Sequence, residues 1–140
     1  MAADRRLSID DRLRYRGPVI DEQGVIVKHF TIKPESEQSF GEWLANWHHE
    51  RDGRGTRPGN YSILTVDGKL WMSDTDAERR DHREPVGYAD VFGGDALVNG
   101  LGMGCVVAAM LDSVDHVDVV ESDQRIIDTV GRWYNRKSVV

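Results

Sequence analysis

Several things are scarce in this chain, and each scarcity excludes something. There is one cysteine, Cys105, so no internal disulfide can form, which suits a reducing cytoplasm. Positive charge is short: the net charge is −6, so no overall basic field draws the chain to nucleic acid or to an anionic membrane. Zinc-finger, RNA-recognition and helix-turn-helix signatures are absent, which argues further against a nucleic-acid partner. No apolar run approaches the ~20 residues that a bilayer span needs, so no membrane partner is expected. The start, Met1 to Arg6, lacks the apolar centre of a signal peptide. No C-x-x-C or H-x-x-x-H pair occurs, and His48 and His49 are adjacent, so they point in different directions. No metal site is expected. Lysine is also scarce: arginine outnumbers it 14 to 4, a bias that fits a GC-rich genome.

What is present is enough for one domain with a real core. The chain has 140 residues, 39% of them apolar, with four tryptophans. Its centre of organisation is residues 95–111. Ala96-Leu97-Val98 reads as a buried strand. Gly100, Gly102 and Gly104 follow at alternate positions, and Cys105 to Leu111 runs as a helix. His116 to Glu121 is a second strand with an acid at its carboxyl end. Strand, glycine turn, helix, strand is the opening of a nucleotide-binding βαβ unit. Glycine lets the backbone turn tightly and lets a ligand approach closely. A carboxylate ending the second strand can accept from both hydroxyls of a ribose. The pattern is G-x-G-x-G, not the dinucleotide G-x-G-x-x-G, and no Lys-Ser/Thr follows, so it is no P-loop. Cys105 is expected to be a small packing residue.

The rest of the chain reads in order. Residues 1–18 are a polar, arginine-rich arm, with a short helix capped by Ser8 as the alternative. Residues 19–94 hold strands at Val19-Ile20 and Val25 to Ile32, an amphipathic helix from Gln38 to Glu50, and a hairpin. In that helix Phe40, Trp43, Leu44 and Trp47 make one apolar face, expected to meet the interior rather than to act as a stacking platform. No full capping box is read at Ser36; Glu35 and Glu37 suit the first turn. Arg51 to Gly59 is a loop. Asn60 to Val66 and Lys69 to Ser73 flank Asp67-Gly68, the signal of a type I′ turn. Asp74 to Arg83 reads as a charged helix broken before Pro85, and residues 87–94 lead into the next strand. Residues 95–140 form the nucleotide-binding unit, closing on a helix from Ser122 or Asp123 whose apolar face is Ile126, Ile127, Val130 and Trp133/Tyr134.

G-x-G-x-G with a strand-ending acid resembles motif I of the class I S-adenosylmethionine-dependent transferases. Residues 60–136 resemble, within that superfamily, the polyamine aminopropyltransferases, of which spermidine synthase is the type. Val66-Asp-Gly-Lys-Leu-Trp-Met-Ser-Asp-Thr-Asp-Ala-Glu78 is similar to their N-terminal hairpin and its acidic follow-on. His82 matches the histidine of their Tyr-His-Glu element, with Asp81 and Arg83 at the flanking positions. Leu97 to Gly104 and Val119 to Asp123 match the glycine motif and the ribose-binding strand. Similar proteins occur in actinobacterial phages. The fold implied is α/β, with an N-terminal β-hairpin region and an incomplete Rossmann-like βαβα unit. The cofactor implied is S-adenosylmethionine or its decarboxylated form. Gly100, Gly102 and Gly104 would approach its methionine part, Glu121 the ribose, and Leu101 and Asp123 the adenosine. Asp67, Asp74, Asp76 and His82 would receive the substrate.

By chain order only the first two strands of the family's sheet are present, and its catalytic half is absent. Two parallel strands leave both sheet edges open. The N-terminal strands are therefore expected to fill the missing positions, or two chains to pair edge to edge as a homodimer. Val139-Val140 would begin a further strand. Two functions follow: a cytoplasmic S-adenosylmethionine-binding, transferase-like protein, or a non-enzymatic protein on the same scaffold that binds a host or partner protein.

Overall fold

Residues 7–134 are described by the computed structural model. Asp67-Gly68 sets the first sheet. Their φ angles are +51° and +78°, so both central residues of the turn are left-handed, as a type I′ hairpin requires. The turn joins β3 (Gly59–Val66) to β4 (Lys69–Ser73). With β1 (Ile20–Glu22) and β2 (Val25–Ile32) they form one antiparallel sheet in the order β1-β2-β3-β4. Val25 lies opposite Val66, and Val27 opposite Leu64. Strand alternation puts all four on one face, and all are buried.

The second sheet has two parallel strands, β5 (Asp95–Asn99) and β6 (His116–Val120), joined through α4 (Cys105–Met110). After β6 comes α5 (Gln124–Ile126), a π-helical turn at Ile127–Gly131, and α6 (Arg132–Tyr134). Val25, Val27, Leu64 and Val66 of the first sheet share one core with Met103, Val107, Val117, Val119, Ile126 and Val130. Each such side chain removed from water contributes roughly 1.5–3 kcal/mol. A smaller cluster joins α1 (Ile9–Arg12) and Leu13 to Val86 of α3 (Asp76–Phe92) and to Ala109 and Met110 of α4. Residues 9–15 are thus part of the packed body: Arg12, Leu13 and Tyr15 are buried, and Ser8 caps α1 by accepting from the Asp11 N–H at 3.1 Å.

Four expectations need correction. First, α3 does not break before Pro85 but runs on to Phe92, with residues 87–92 helical. The hydrogen bond that Pro85 removes is the one to the Asp81 carbonyl. Asp81 and Pro85 are both exposed, which leaves the freed carbonyl on the solvent side of the helix, while Val86 stays packed.

Second, the aromatic face of α2 (Phe40–Arg51) does not meet the interior. No residue of that helix is buried. Its rings pack on each other instead, with Phe40 on Trp43 and Trp43 on Trp47 at centroid distances of 5.9 and 6.4 Å. The helix starts on a capping box of Ser39 and Glu42. Glu35 and Glu37 belong to a separate 3-10 turn before it.

Third, the N-terminal strands do not extend the parallel pair; they make a sheet of their own. Two tight hairpins, β1 with β2 and β3 with β4, pair these strands with their sequence neighbours at little cost in chain entropy.

Fourth, the final helix buries Ile126, Val130 and Tyr134 but exposes Ile127 and Trp133. The π turn shifts the helical phase. Val139-Val140 lie outside the described residues. Among those described, no helix is long and apolar enough to cross a membrane.

Candidate functional site

The glycine turn is built where β5 ends. Gly100, Gly102 and Gly104 all have positive φ, but their surroundings differ. A Cβ on Gly102 would overlap the Met72 sulfur, and one on Gly104 would overlap the Tyr134 ring; on Gly100 it would meet nothing within 4 Å. Two glycines therefore admit side chains of this chain, and one faces open space.

Glu121 lies just past β6 and binds the turn. One carboxylate oxygen accepts from the N–H of Leu101 at 2.9 Å and of Gly102 at 3.5 Å. The other accepts from the Asp123 N–H at 3.0 Å. The Gly100 N–H donates to the Val120 carbonyl at 2.7 Å, and the Gly104 N–H to the Leu101 carbonyl at 2.8 Å. The Met103 N–H points at the Met72 sulfur, 3.3 Å away. All five amides from 100 to 104 thus have partners within the chain.

Beside this turn lies a cleft of about 700 Å³. Gly100, Leu101, Gly102, Glu121 and His82 line it, with Trp71 and Met72 of β4 on one wall. It runs along the whole of β5 and reaches the carboxyl end of that strand, the end at which open α/β sheets bind ligands. His82 is half-buried there. Its Nδ1 is 2.8 Å from the Glu78 carbonyl. A carbonyl only accepts, so Nδ1 carries the hydrogen and, in the neutral ring, Nε2 keeps its lone pair.

The other candidates stand elsewhere. Asp123 caps α5 through the Arg125 N–H at 2.9 Å and pairs with the Arg125 guanidinium at 3.0 Å. Arg125 also reaches Asp67 on the hairpin turn at 3.0 Å. Together they strap the first sheet to the final helix. Asp74 is buried; it accepts from the N–H of Ser62 at 2.6 Å and of Tyr15 at 2.8 Å. Asp76 pairs with Arg57 and with buried Arg79. Of these, none lines the cleft. Gly104 does not line it either, because Tyr134 covers it. Met72 and Tyr134 were not read from the sequence as parts of the site. In the sequence Tyr134 is one position of an apolar helix face, and nothing local marks Met72.

Two other features offer less. A cleft of about 740 Å³ opens between residues 12–22 and the final helix. Its arginines, Arg12, Arg14, Arg16 and Arg132, are each bonded to carbonyl or carboxylate oxygens. His29 Nδ1 lies 2.9 Å from the Ser62 hydroxyl, but Ser62 is buried within β3. Cys105 is buried too, and burial above all pushes its thiol up to about 12, so it is an inert packing residue.

The acid pairs set a pH dependence. Burial alone would raise Asp76, but its hydrogen bonds and charge contacts with Arg57, and the charge of Arg79, outweigh that and hold it below the usual range. The Arg125 hydrogen bond likewise holds Asp123 low. A depressed carboxyl contributes stability above its unfolded pKa, about 3.9, and loses it as pH falls through the folded value. Melting temperature should therefore fall below about pH 4. Asp76→Asn should melt lower at neutral pH and show a flatter acid limb. A parallel profile in that variant would contradict the assignment.

No protein-family model, curated protein or solved structure matches the chain.

Proposed function

We propose that the cleft at the glycine turn binds an adenosyl cofactor of the S-adenosylmethionine type, on a Rossmann-like βαβα unit. One observation carries this reading. Glu121 is fixed by turn amides at the end of two parallel strands, beside Gly100, which faces open space. A carboxylate has about four acceptor sites, and the three amide bonds leave one for a ribose hydroxyl. The fit is uneven along the ligand. No turn amide from 100 to 104 is left for an amino-acid carboxylate, and Met72 and Tyr134 fill the space at Gly102 and Gly104. The residues suit the nucleoside end better than the methionine end, and the decarboxylated form should bind no more weakly.

Glu121 would hold the ribose, and Leu101 and Gly100 would shape the wall beside it. Bound there, a sulfonium cofactor supplies an electrophilic alkyl carbon. His82, with Nε2 unprotonated in the neutral ring, is placed to accept a proton from an acceptor in the cleft. Asp123 acts through Arg125 and the helix cap, not as a wall of the cleft. The single cysteine fits a reducing cytoplasm as the compartment.

A second reading is favoured by α2. A helix with no buried residue and a stacked stripe of Phe40, Trp43 and Trp47 is a surface suited to a host or partner protein. Thermal shift separates the two. Saturation with S-adenosylmethionine, its decarboxylated form or S-adenosylhomocysteine at 100 times Kd should stabilise the fold by about 2.7 kcal/mol. No shift with any of them would sink the cofactor reading and leave the partner reading standing.

A further inference from the structure

We infer that two copies of this chain join through the free edge of β5, with Leu97 on the two-fold axis. Among the described residues the parallel sheet has two strands, and β5 pairs with β6 along one edge only. The other edge borders the cleft, whose lining includes every residue from Asp95 to Asn99 together with Tyr88 and Phe92 of α3. Leu97, Tyr88 and Phe92 are 66%, 65% and 67% exposed. An unpaired strand edge flanked by apolar side chains is a template for another strand.

The sequence of β5 says which strand. Read antiparallel to itself about Leu97, Asp95 faces Asn99, Ala96 faces Val98, and Leu97 faces Leu97. No like charges are opposed, and small faces larger. The other free edges fail the same comparison. Self-pairing of β6 about its centre sets Asp118 against Asp118, and that of β1 sets Asp21 against Asp21. Like charges directly opposite are destabilising. The β4 edge carries an irregularity in its pairing with β3 between Leu64 and Thr65, and its Met72 is drawn under the glycine turn. Irregular edges resist pairing.

Pairing through β5 gives an antiparallel centre and the order β6-β5-β5-β6. The two-stranded sheet becomes four-stranded, and the exposed leucines cover each other. It also sets Asp95 of one copy beside Asn99 of the other, next to Gly100. This association needs no cofactor, so it stands or falls separately from the nucleoside reading.

Sedimentation of the ligand-free protein over a dilution series tests it, beside Leu97→Lys. Leu97 is exposed, so the variant should fold with an unchanged circular dichroism spectrum. Opposed lysines should weaken the dimer about tenfold or more. Leu97→Cys should be cross-linked between copies by a short bifunctional thiol reagent, because opposed Cβ atoms lie about 4.5–5.5 Å apart. Val120→Cys, exposed on the neighbouring strand, should not. A monomer at every concentration would overturn the inference. So would a dimer that survives Leu97→Lys, or cross-linking that is equal at the two cysteines.

Discussion

Gly104→Ala is expected to lower the unfolding free energy by about 3 kcal/mol. Two costs add. The φ of +78° is left-handed, which costs an alanine about 1–2 kcal/mol. The new methyl would also overlap the Tyr134 ring, and overpacking costs about 1–3 kcal/mol. The ring has little room to retreat: Tyr134 is buried, and its hydroxyl donates to the Met103 carbonyl at 2.9 Å. Gly100→Ala is the control. Its φ is also positive, at +87°, but its Cβ would meet nothing. Urea unfolding followed by tryptophan fluorescence should therefore show Gly100→Ala losing about 1–2 kcal/mol, the strain alone. Equal losses in the two variants would mean that Tyr134 does not close the turn.

Arg79→Met should cost about 3 kcal/mol, the lower end for breaking a buried ion pair. Arg79 is 2% exposed. It pairs with Asp10 at 3.2 Å and with Asp76, and one nitrogen donates to the Asp74 carbonyl at 3.3 Å. Its guanidinium also lies over the Tyr61 ring, 5.9 Å from the centroid. Methionine keeps the apolar stem but leaves two carboxylates without their shared partner. The lower end applies because Asp10 and Asp76 still reach solvent and Asp76 keeps Arg57. Arg79→Lys should fall between, since an ammonium keeps the charge and loses the planar fork. The same urea titration reads all three proteins. A neutral Arg79→Met would show the cluster contributing no more than surface pairs do.

Local signals carried much of the fold. The Asp67-Gly68 hairpin, β2, and the strand–turn–helix at residues 95–110 were all legible from short-range rules; for the first residues those rules left a polar arm and a helix capped by Ser8 equally open, and burial of Leu13 decides for the helix. The packing role of Cys105 was legible too. What escaped depended on distant partners. Pro85 stops a helix only if the lost bond is buried, and the side of α3 that is buried is fixed by Leu13 and Met110. The stripe of Phe40, Trp43 and Trp47 has the period of a core face, but period does not say whether a surface is there to meet it. Met72 is 31 residues from Met103, and Asp67 is 58 from Arg125. Such pairs leave no trace in local pattern. Of the candidate site, Gly100, Leu101, Gly102, His82 and Glu121 share one cleft. Asp74, Asp76 and Asp123 are held instead by backbone amides and arginines. An acid's residue type alone does not tell a free carboxylate from a committed one.

Calorimetric titration with S-adenosylmethionine, decarboxylated S-adenosylmethionine and S-adenosylhomocysteine, beside Glu121→Ala, tests the central claim most directly. The nucleoside reading predicts saturable binding of all three, with the decarboxylated form no weaker, and its loss in the folded variant. No heat with any ligand from the folded wild-type protein, or binding that Glu121→Ala leaves intact, would contradict it.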